Sequence, residues 1–326
     1  MLADLDLLLT VVYCMTDDFL PRRAQNARRA VSDAEIVTLA IAQAIMGIPS
    51  DYRFIMVADR RLRHLFPVLP SRDAFHKRRL RLGGQIEALI AHFARHSPGY
   101  TDDLLLVDST PIECARSRET VKRGGGSSLA DALADAADYG FCASHSRLFW
   151  GFRLHALVAP DGTPRALALT SPKIDEKLVC LQMVARCQRA DGQLLVLIGD
   201  KNFRGKQFEN DLAALDATIL RPRRKDEKTT LVTPSQTTAA LRPASQITPQ
   251  PDRHTPPNEP HLAAIRQRIE SIFWTFKDIL TLERHGARTL GNLRVRLCAR
   301  FAALAAAIML NHQLDRPSRS LVNYTA

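Results

Sequence analysis

The sequence predicts an α/β domain built on a mixed sheet flanked by helices, preceded by an all-α, helix-turn-helix-like region. Three observations predict it. Through residues 1–100 the apolar positions recur at helical spacing behind serine caps. From Asp103 onward short apolar runs of strand length take over, three in succession and then alternating with helical segments. The basic charge gathers at the two ends: residues 1–100 carry 14 Lys and Arg against 10 Asp and Glu, residues 101–260 carry 21 against 20, and residues 261–326 carry 10 against 4.

Ser32 and Glu35 form a capping box, Ile36, Leu39, Ala40, Ala44 and Ile45 follow at helical spacing, and Gly47 with Pro49 ends the helix. Ser50 caps a second helix that runs to about Leu65, and Ser71 caps a third. That third helix carries Arg72, Lys77, Arg78, Arg79 and Arg81. Three short helices ending in an Arg-rich one resemble a helix-turn-helix reader whose last helix meets DNA, and these five cations are then its contacts. A solvated basic face on a helical bundle is the competing reading.

Strands are expected at residues 104–107, 149–158 and 165–170, the last after an Asp161-Gly162 turn. A helix over 176–188, a buried strand over 194–198, a helix over 206–215 and a strand over 217–220 complete the domain. Residues 124–128 read as a flexible link, and 229–260, rich in Thr, Pro, Gln and Ser, as a disordered insert. Two helices follow, over 262–281 and 291–311. The expected organisation is a helical DNA-binding region over 1–100 and a catalytic domain over 101–326.

Composition narrows the functional class. A chain of 326 residues, 46% hydrophobic, can bury a sizeable core, which excludes wholesale disorder. No uncharged apolar run reaches the roughly 18 residues of a membrane span, and Asp4 and Asp6 stand where a signal peptide carries positive charge, so a cytoplasmic protein is expected. The six cysteines lack a Cys-x-x-Cys pair and read as reduced thiols. A formal charge of +11 points to a polyanionic partner, nucleic acid above all.

The candidate chemistry lies in three carboxylates. Asp108 is expected to close the first strand and Asp200 a later strand of the same sheet, and strand ends in an open α/β sheet converge on one crevice. Taken singly, each could be a turn cap. On the helix over 262–281, Arg266, Glu270 and Lys277 fall within roughly 40° of one another, apart from an apolar stripe of Ile265, Ile269, Ile272, Phe276 and Ile279. A surface ion-pair ladder is the bland account of that stripe. Converging carboxylates repel unless a cation sits between them, and hard oxygen ligands suit two Mg²⁺ ions, with Mn²⁺ as a substitute. Two such ions can promote phosphodiester hydrolysis and strand transfer.

The segments Val107-Asp108-Ser109-Thr110-Pro111-Ile112-Glu113-Cys114, Tyr139-Gly140-Phe141-Cys142-Ala143-Ser144, Trp150-Gly151-Phe152-Arg153-Leu154-His155, Gly199-Asp200-Lys201-Asn202-Phe203, Arg266-x3-Glu270-x6-Lys277 and Leu282-Glu283-Arg284-His285-Gly286-Ala287-Arg288-Thr289 resemble, in order, insertion-sequence transposases of the DDE type, most closely the insertion-sequence 982 group. The resemblance implies a ribonuclease-H-like catalytic domain in which Asp108, Asp200 and Glu270 hold two divalent metals and Arg266 and Lys277 lie near the DNA backbone. It implies a double-stranded DNA partner, comprising terminal inverted repeats and target DNA, and a homodimer on that DNA. The sequence departs from the pattern at Ala263, Asn202 and Phe203, where Tyr, Gly and Tyr are usual, and in the length of the 229–260 insert. A DNA-binding protein that has lost catalysis and a hydrolysis-only nuclease of the same fold are the competing functions.

Six further residues carry expectations of their own. His155 is read as a hydrogen-bonded structural histidine. Lys201, Arg284 and Arg288 are read as phosphate contacts. Phe273 and Trp274 are read as core aromatics, with stacking on a flipped base as the alternative.

Overall fold

A computed structural model describes residues 2–21, 30–115, 133–142, 146–187, 192–222 and 263–325. The expected link at 124–128 and insert at 229–260 lie outside the described residues.

Five helices come first: α1 (Leu2–Phe19), α2 (Asp33–Ile45), α3 (Asp51–Arg61), α4 (Arg72–Arg81) and α5 (Gly83–Ala94). The three serine caps form as the sequence predicts. Ser32 Oγ accepts from the Glu35 amide at 3.0 Å while the Glu35 carboxylate accepts from the Ser32 amide, Ser50 Oγ accepts from Arg53 at 3.3 Å, and Ser71 Oγ accepts from Ala74 at 3.3 Å. Gly47 follows α2 at φ +61°, a left-handed conformation in which a Cβ would also meet Thr281 Cγ2 at 3.2 Å.

The sheet contains β1 (Leu104–Ala115), β2 (Asp138–Cys142), β3 (Arg147–Val158), β4 (Pro164–Thr170), β5 (Leu195–Ile198) and β6 (Ala217–Leu220). Its order is β2-β3-β1-β5-β6, with β4 pairing the other half of β3. β3 is antiparallel to β1, β2 and β4, whereas β1, β5 and β6 are parallel. Helices α6 (Leu133–Ala136), α7 (Glu176–Arg186), α8 (Lys206–Ala213), α9 (Ala263–Asp278) and α10 (Leu290–Gln313) complete the chain. This mixed sheet flanked by helices is consistent with a ribonuclease-H-like transposase fold.

One expectation about β1 is corrected. Asp108 does not close the strand, which continues to Ala115 through Pro111. Residues 108–113 stay paired to β3 on one side, while the parallel pairing to β5 stops at Leu106. A proline costs such a strand little, because the side that β5 has left needs no amide donor.

Alternation along β1 divides the core. Leu105 and Val107 pack with α7 and α8, together with Leu157, Leu197 and Phe208. Leu106 and Ile112 face the other way, into a core shared by α9, α10 and the N-terminal helices. His155 lies on β3 opposite Ser109, 2% exposed, with its Nε2 3.0 Å from Thr170 Oγ1 on β4. It has the structural role expected of it, and burial with the nearby Arg153 charge pushes its pKa down to about 4.

Helix α10 is the axis of the larger core. Every residue from 295 to 311 is buried, and α1, α2, α4, α5 and β4 all pack against it. The small side chains Ala302, Ala303, Ala305, Ala306 and Ala307 let those neighbours approach closely.

A buried ionic cluster joins α10 to the N-terminal helices. Asp51 Oδ1 accepts from Arg79 at 2.8 Å and from Arg296 at 2.5 Å, Asp51 Oδ2 accepts from Arg79 at 3.0 Å, and Arg79 also donates to Gln43 at 2.7 Å and Asn292 at 3.2 Å. Burial alone would raise the Asp51 pKa. The bonds and charge of Arg79, with the charge of Arg296, outweigh it and hold the carboxyl well below the usual range. Arg300 is 4% exposed and donates to Leu280 O at 2.6 Å, Arg296 O at 3.0 Å and Thr281 O at 3.3 Å. Burial and neighbouring cations lower Arg296 to about 10 and Arg300 to about 9.

This cluster corrects part of the α4 stripe. Arg79 is 1% exposed and spent on Asp51, so it is not available to a DNA backbone. Arg78 is mostly enclosed as well, donating to Val31 O at 2.8 Å and Asp33 at 2.6 Å. Arg72, Lys77 and Arg81 remain exposed. No disulfide joins the six cysteines, and no helix among the described residues is long and apolar enough to cross a membrane.

Two stability predictions follow from these buried groups. Asp51→Asn leaves Arg79 and Arg296 without their carboxylate and costs about 3–5 kcal/mol in urea unfolding at pH 7. Because the folded-state pKa of Asp51 lies below its unfolded value of about 3.9, its contribution is full above that pH and fades as the solution is acidified below it. A loss under about 0.5 kcal/mol would contradict the central place given to this carboxylate. For His155 the folded state favours the neutral ring, so stability falls as pH drops from about 6.5 toward 4. His155→Gln, which keeps a donor near Thr170 but does not titrate, shows a smaller loss between pH 7 and pH 5 than the parent chain; an equal loss refutes the assignment.

Candidate active site

The last parallel pair between β1 and β5 is Leu106 with Ile198. Asp108 and Asp200 each lie two residues further on, so the register that pairs the strands brings the two aspartates to the same end of adjacent strands. Adjacent strands lie about 4.8 Å apart. Alternation places Asp108 on the face of Leu106 and Ile112, the face α9 covers. Two carboxylates 92 positions apart in sequence thus share one sheet edge, as the sequence predicts.

Each aspartate is held locally. Asp108 Oδ1 accepts from the Ser109 amide at 2.7 Å. Asp200 sits in the turn after Gly199, where an added Cβ would lie 2.9 Å from the Phe203 ring and 3.2 Å from Val107. Asn202 clamps it, the backbone amide donating to Oδ1 at 2.8 Å and the side-chain amide to Oδ2 at 2.8 Å. Phe203 is buried beneath that turn, 6.0 Å from the Phe208 ring.

On the opposite face of the sheet from Asp108, with Ser109 and His155, lies a cation close enough to feel the charge of both aspartates. Arg153 on β3 is under the influence of both Asp108 and Asp200, and burial pulls its pKa down against them. It is oriented by an ion pair to Glu176 at the start of α7, by Ser109 Oγ at 3.4 Å and by Phe141 O at 3.1 Å. Ser109 Oγ donates in turn to Glu176 at 3.1 Å.

Glu270 projects from α9, exposed to solvent. The helix is fixed on its other side by Ile269, Ile272, Phe273 and Phe276 in the core, and His285 anchors the turn beyond it. His285 Nδ1 accepts from the Ala287 amide at 3.1 Å, which leaves Nε2 to donate to Glu113 O of β1 at 3.2 Å. Lys277 lies two turns along from Glu270, half-buried and 4.0 Å from Glu283. The side chain of Arg266 lies outside the described residues.

Asp108 and Asp200 offer hard carboxylate oxygens of the kind Mg²⁺ takes. Among the described residues no group of three His, Cys, Asp or Glu stands close enough to hold a metal ion. The register brings Asp108 and Asp200 to the same end of neighbouring strands, and with Glu270 they do not form such a group of three. Lys201, Arg284 and Arg288 are exposed.

Sequence reading passed over Arg153, Glu176 and Asn202. Arg153 lies within a segment that carries the family resemblance, and Asp200-x-Asn202 is a pattern that favours a side-chain-capped turn. The aromatic pair on α9 is half as expected: Phe273 is buried, but Trp274 is 58% exposed, because it stands on the outer surface of the helix.

No curated protein and no solved structure matches the chain significantly. A family model described as "Transposase DDE domain" matches residues 99–306, well over half of the 326. Those residues begin just before β1 and end within α10, so they include Asp108, Asp200 and Glu270 together with the sheet and helix that carry them. The chain belongs to the DDE-domain transposase family.

Proposed function

We propose that the chain is a metal-dependent transposase that cleaves the ends of an insertion sequence and joins them to target DNA, of the kind grouped with insertion sequence 982. The observation that carries this reading is the in-register placement of Asp108 and Asp200 at the same end of neighbouring strands, within the residues that match the family. In this reading Asp108, Asp200 and Glu270 hold two Mg²⁺ ions, for which Mn²⁺ substitutes. Two such ions supply activation of the attacking oxygen and stabilisation of the leaving one.

The protein's own groups have separate tasks. The Asn202 clamp keeps the Asp200 oxygens in one orientation, as outer-shell partners of ligating carboxylates do. Arg153 offsets the repulsion of two neighbouring carboxylates before substrate arrives. Lys201, Lys277, Arg284, Arg288 and Arg266 contact the DNA backbone, which fixes register without reading sequence. Exposed Arg72, Lys77 and Arg81 make α4 the DNA-facing helix of a helix-turn-helix-like region that reads the terminal inverted repeats. Joining two ends in one event calls for a homodimer on DNA. The protein acts in the cytoplasm, on the nucleoid.

The decisive assay is cleavage and joining of a labelled duplex carrying the end of the element that encodes the chain, in Mg²⁺. The parent chain cuts and joins, while Asp108→Ala and Glu270→Ala bind the duplex but lose at least about a thousandfold in rate. Binding without cutting by the parent chain, in Mg²⁺ or Mn²⁺, overturns the enzyme in favour of a DNA-binding protein; cutting without joining leaves a nuclease. Asn202→Ala raises the Mg²⁺ concentration for half-maximal cleavage by roughly 10–100-fold, and an unchanged Mg²⁺ dependence refutes the role given to the clamp.

A further inference from the structure

A second feature of α9 lies on the flank away from Glu270. Taking Arg268 as zero, the 100° helical step places Ser271, Thr275 and Ile279 within about 60° of it, Glu270 and Lys277 some 180–200° away, and Trp274 on the outer surface between the two flanks, about 120° from Arg268 and about 40° from Glu270. The Arg268 flank forms one wall of an open groove of about 770 Å³, flanked by the β3–β4 turn and the C-terminal segment 317–322. That is an ordinary size for a ligand site.

Its chemistry is a pair of guanidiniums beside an uncovered indole. Arg319 is fixed in place: it donates to Ser271 Oγ at 2.8 Å, and its alkyl chain lies over Gly162, where an added Cβ would come within 2.8 Å of Arg319 Cδ. Burial and the neighbouring Arg268 charge lower the Arg319 pKa against the opposing charge of Asp161, so the two cations repel across the groove. Arg268 has no carboxylate partner among the described residues. Two aspartates also line the groove, but both are engaged in backbone structure. Asp161 accepts from Gly99 N at 3.1 Å, Thr163 N at 2.8 Å and Thr163 Oγ1 at 2.8 Å, and Asp102 accepts from Leu104 N at 2.9 Å. Trp274, 58% exposed, has an indole available for stacking.

We propose that this groove binds an unpaired strand of DNA, with Arg268 and Arg319 on its phosphates and Trp274 stacked on one of its bases. The inference rests on the transposase reading, since it takes DNA to be the substrate, and it adds a contact surface to it. Unpaired strands are held by this combination of cations and aromatic platforms, whereas the bases of an intact duplex offer no face to an indole. Asp102 lies six residues before Asp108, at most about 20 Å along the chain at 3.3 Å per residue. About six nucleotides of a stacked strand, at 3.4 Å each, cover that distance. The groove would therefore grip the strand at a distance from the reacting phosphate, while Glu270 acts from the other flank of the same helix.

The chain has two tryptophans, Trp274 exposed and Trp150 only 6% exposed, so intrinsic fluorescence reports on this groove. The full chain is titrated without metal with single-stranded oligothymidylate of about 12 nucleotides, within the usual site size, and with a blunt duplex of equal length. Oligothymidylate quenches the emission, Trp274→Phe abolishes the quench, and Trp274→Ala, with an unchanged melting temperature, binds about 5- to 150-fold more weakly. Arg268→Gln reduces the slope of log affinity against log salt by about 0.7.

Binding of a labelled oligonucleotide with no quench and no loss in Trp274→Ala overturns the groove and leaves the transposase reading standing. Equal quenching by the blunt duplex overturns the assignment to an unpaired strand. Failure to bind either of these DNAs or the element's end overturns both readings together.

Discussion

The carboxylate of Asp51 is the interaction on which the arrangement of this chain depends. It stands at the start of α3, and its two oxygens gather Arg79 from α4 and Arg296 from α10 in a space almost closed to water. One Asp against these two guanidiniums, with Arg300 one turn further along α10, leaves an excess of buried positive charge. Such a cluster is weak evidence for net stability, because desolvation opposes the attraction. Its effect is geometric: one carboxylate at the start of α3 ties α4 and α10 to it through Arg79 and Arg296.

From that cluster the constraint passes to the candidate site. Arg300 holds Leu280 O and Thr281 O at the C-terminal end of α9, where Thr281 is left-handed at φ +49°. Gly47, at the end of α2, lies close against the same Thr281, and only a residue without a Cβ fits there comfortably. The end of the helix that carries Glu270 is thus set between α10 and the N-terminal helices, while His285 ties the following turn to β1. The helical region and the sheet meet in one core, and the position of Glu270 relative to Asp108 is decided by contacts from both.

Much of this was legible in the sequence because it rests on local rules. Serine caps, a glycine stop and apolar spacing located α2, α3 and α4. The Asp161-Gly162 turn located the β3–β4 hairpin, and the apolar stripe on α9 identified the residues that enter the core. Asp108 and Asp200 were legible as carboxylates of neighbouring strands, but β1 runs on past Asp108 to Ala115, and it is the end of its pairing with β5 that sets the two at one level. What escaped depends on which side of an element a distant segment covers. Arg79 belongs to a run that looks uniformly basic, and only the approach of α3 and α10 turns it inward. Arg153 sits in a strand whose alternation says nothing of the two carboxylates it will stand near. Trp274 adjoins a buried Phe273, and one helical step of 100° separates a core position from an open one.

That same step lets α9 present different chemistry on its two flanks. Its buried face is narrow, defined by Ile269, Ile272, Phe273 and Phe276, and Glu270 with Lys277 lies to one side of it while Arg268, Ser271 and Thr275 lie to the other. A helix seated by so few side chains cannot shift one flank without shifting the other. Glu270 and one wall of the groove are therefore carried by the same rigid element. The formal charge of +11 is thereby resolved into two populations: arginines such as Arg78, Arg79, Arg296 and Arg300 that hold the helices together, and those on the surface that remain for a polyanion.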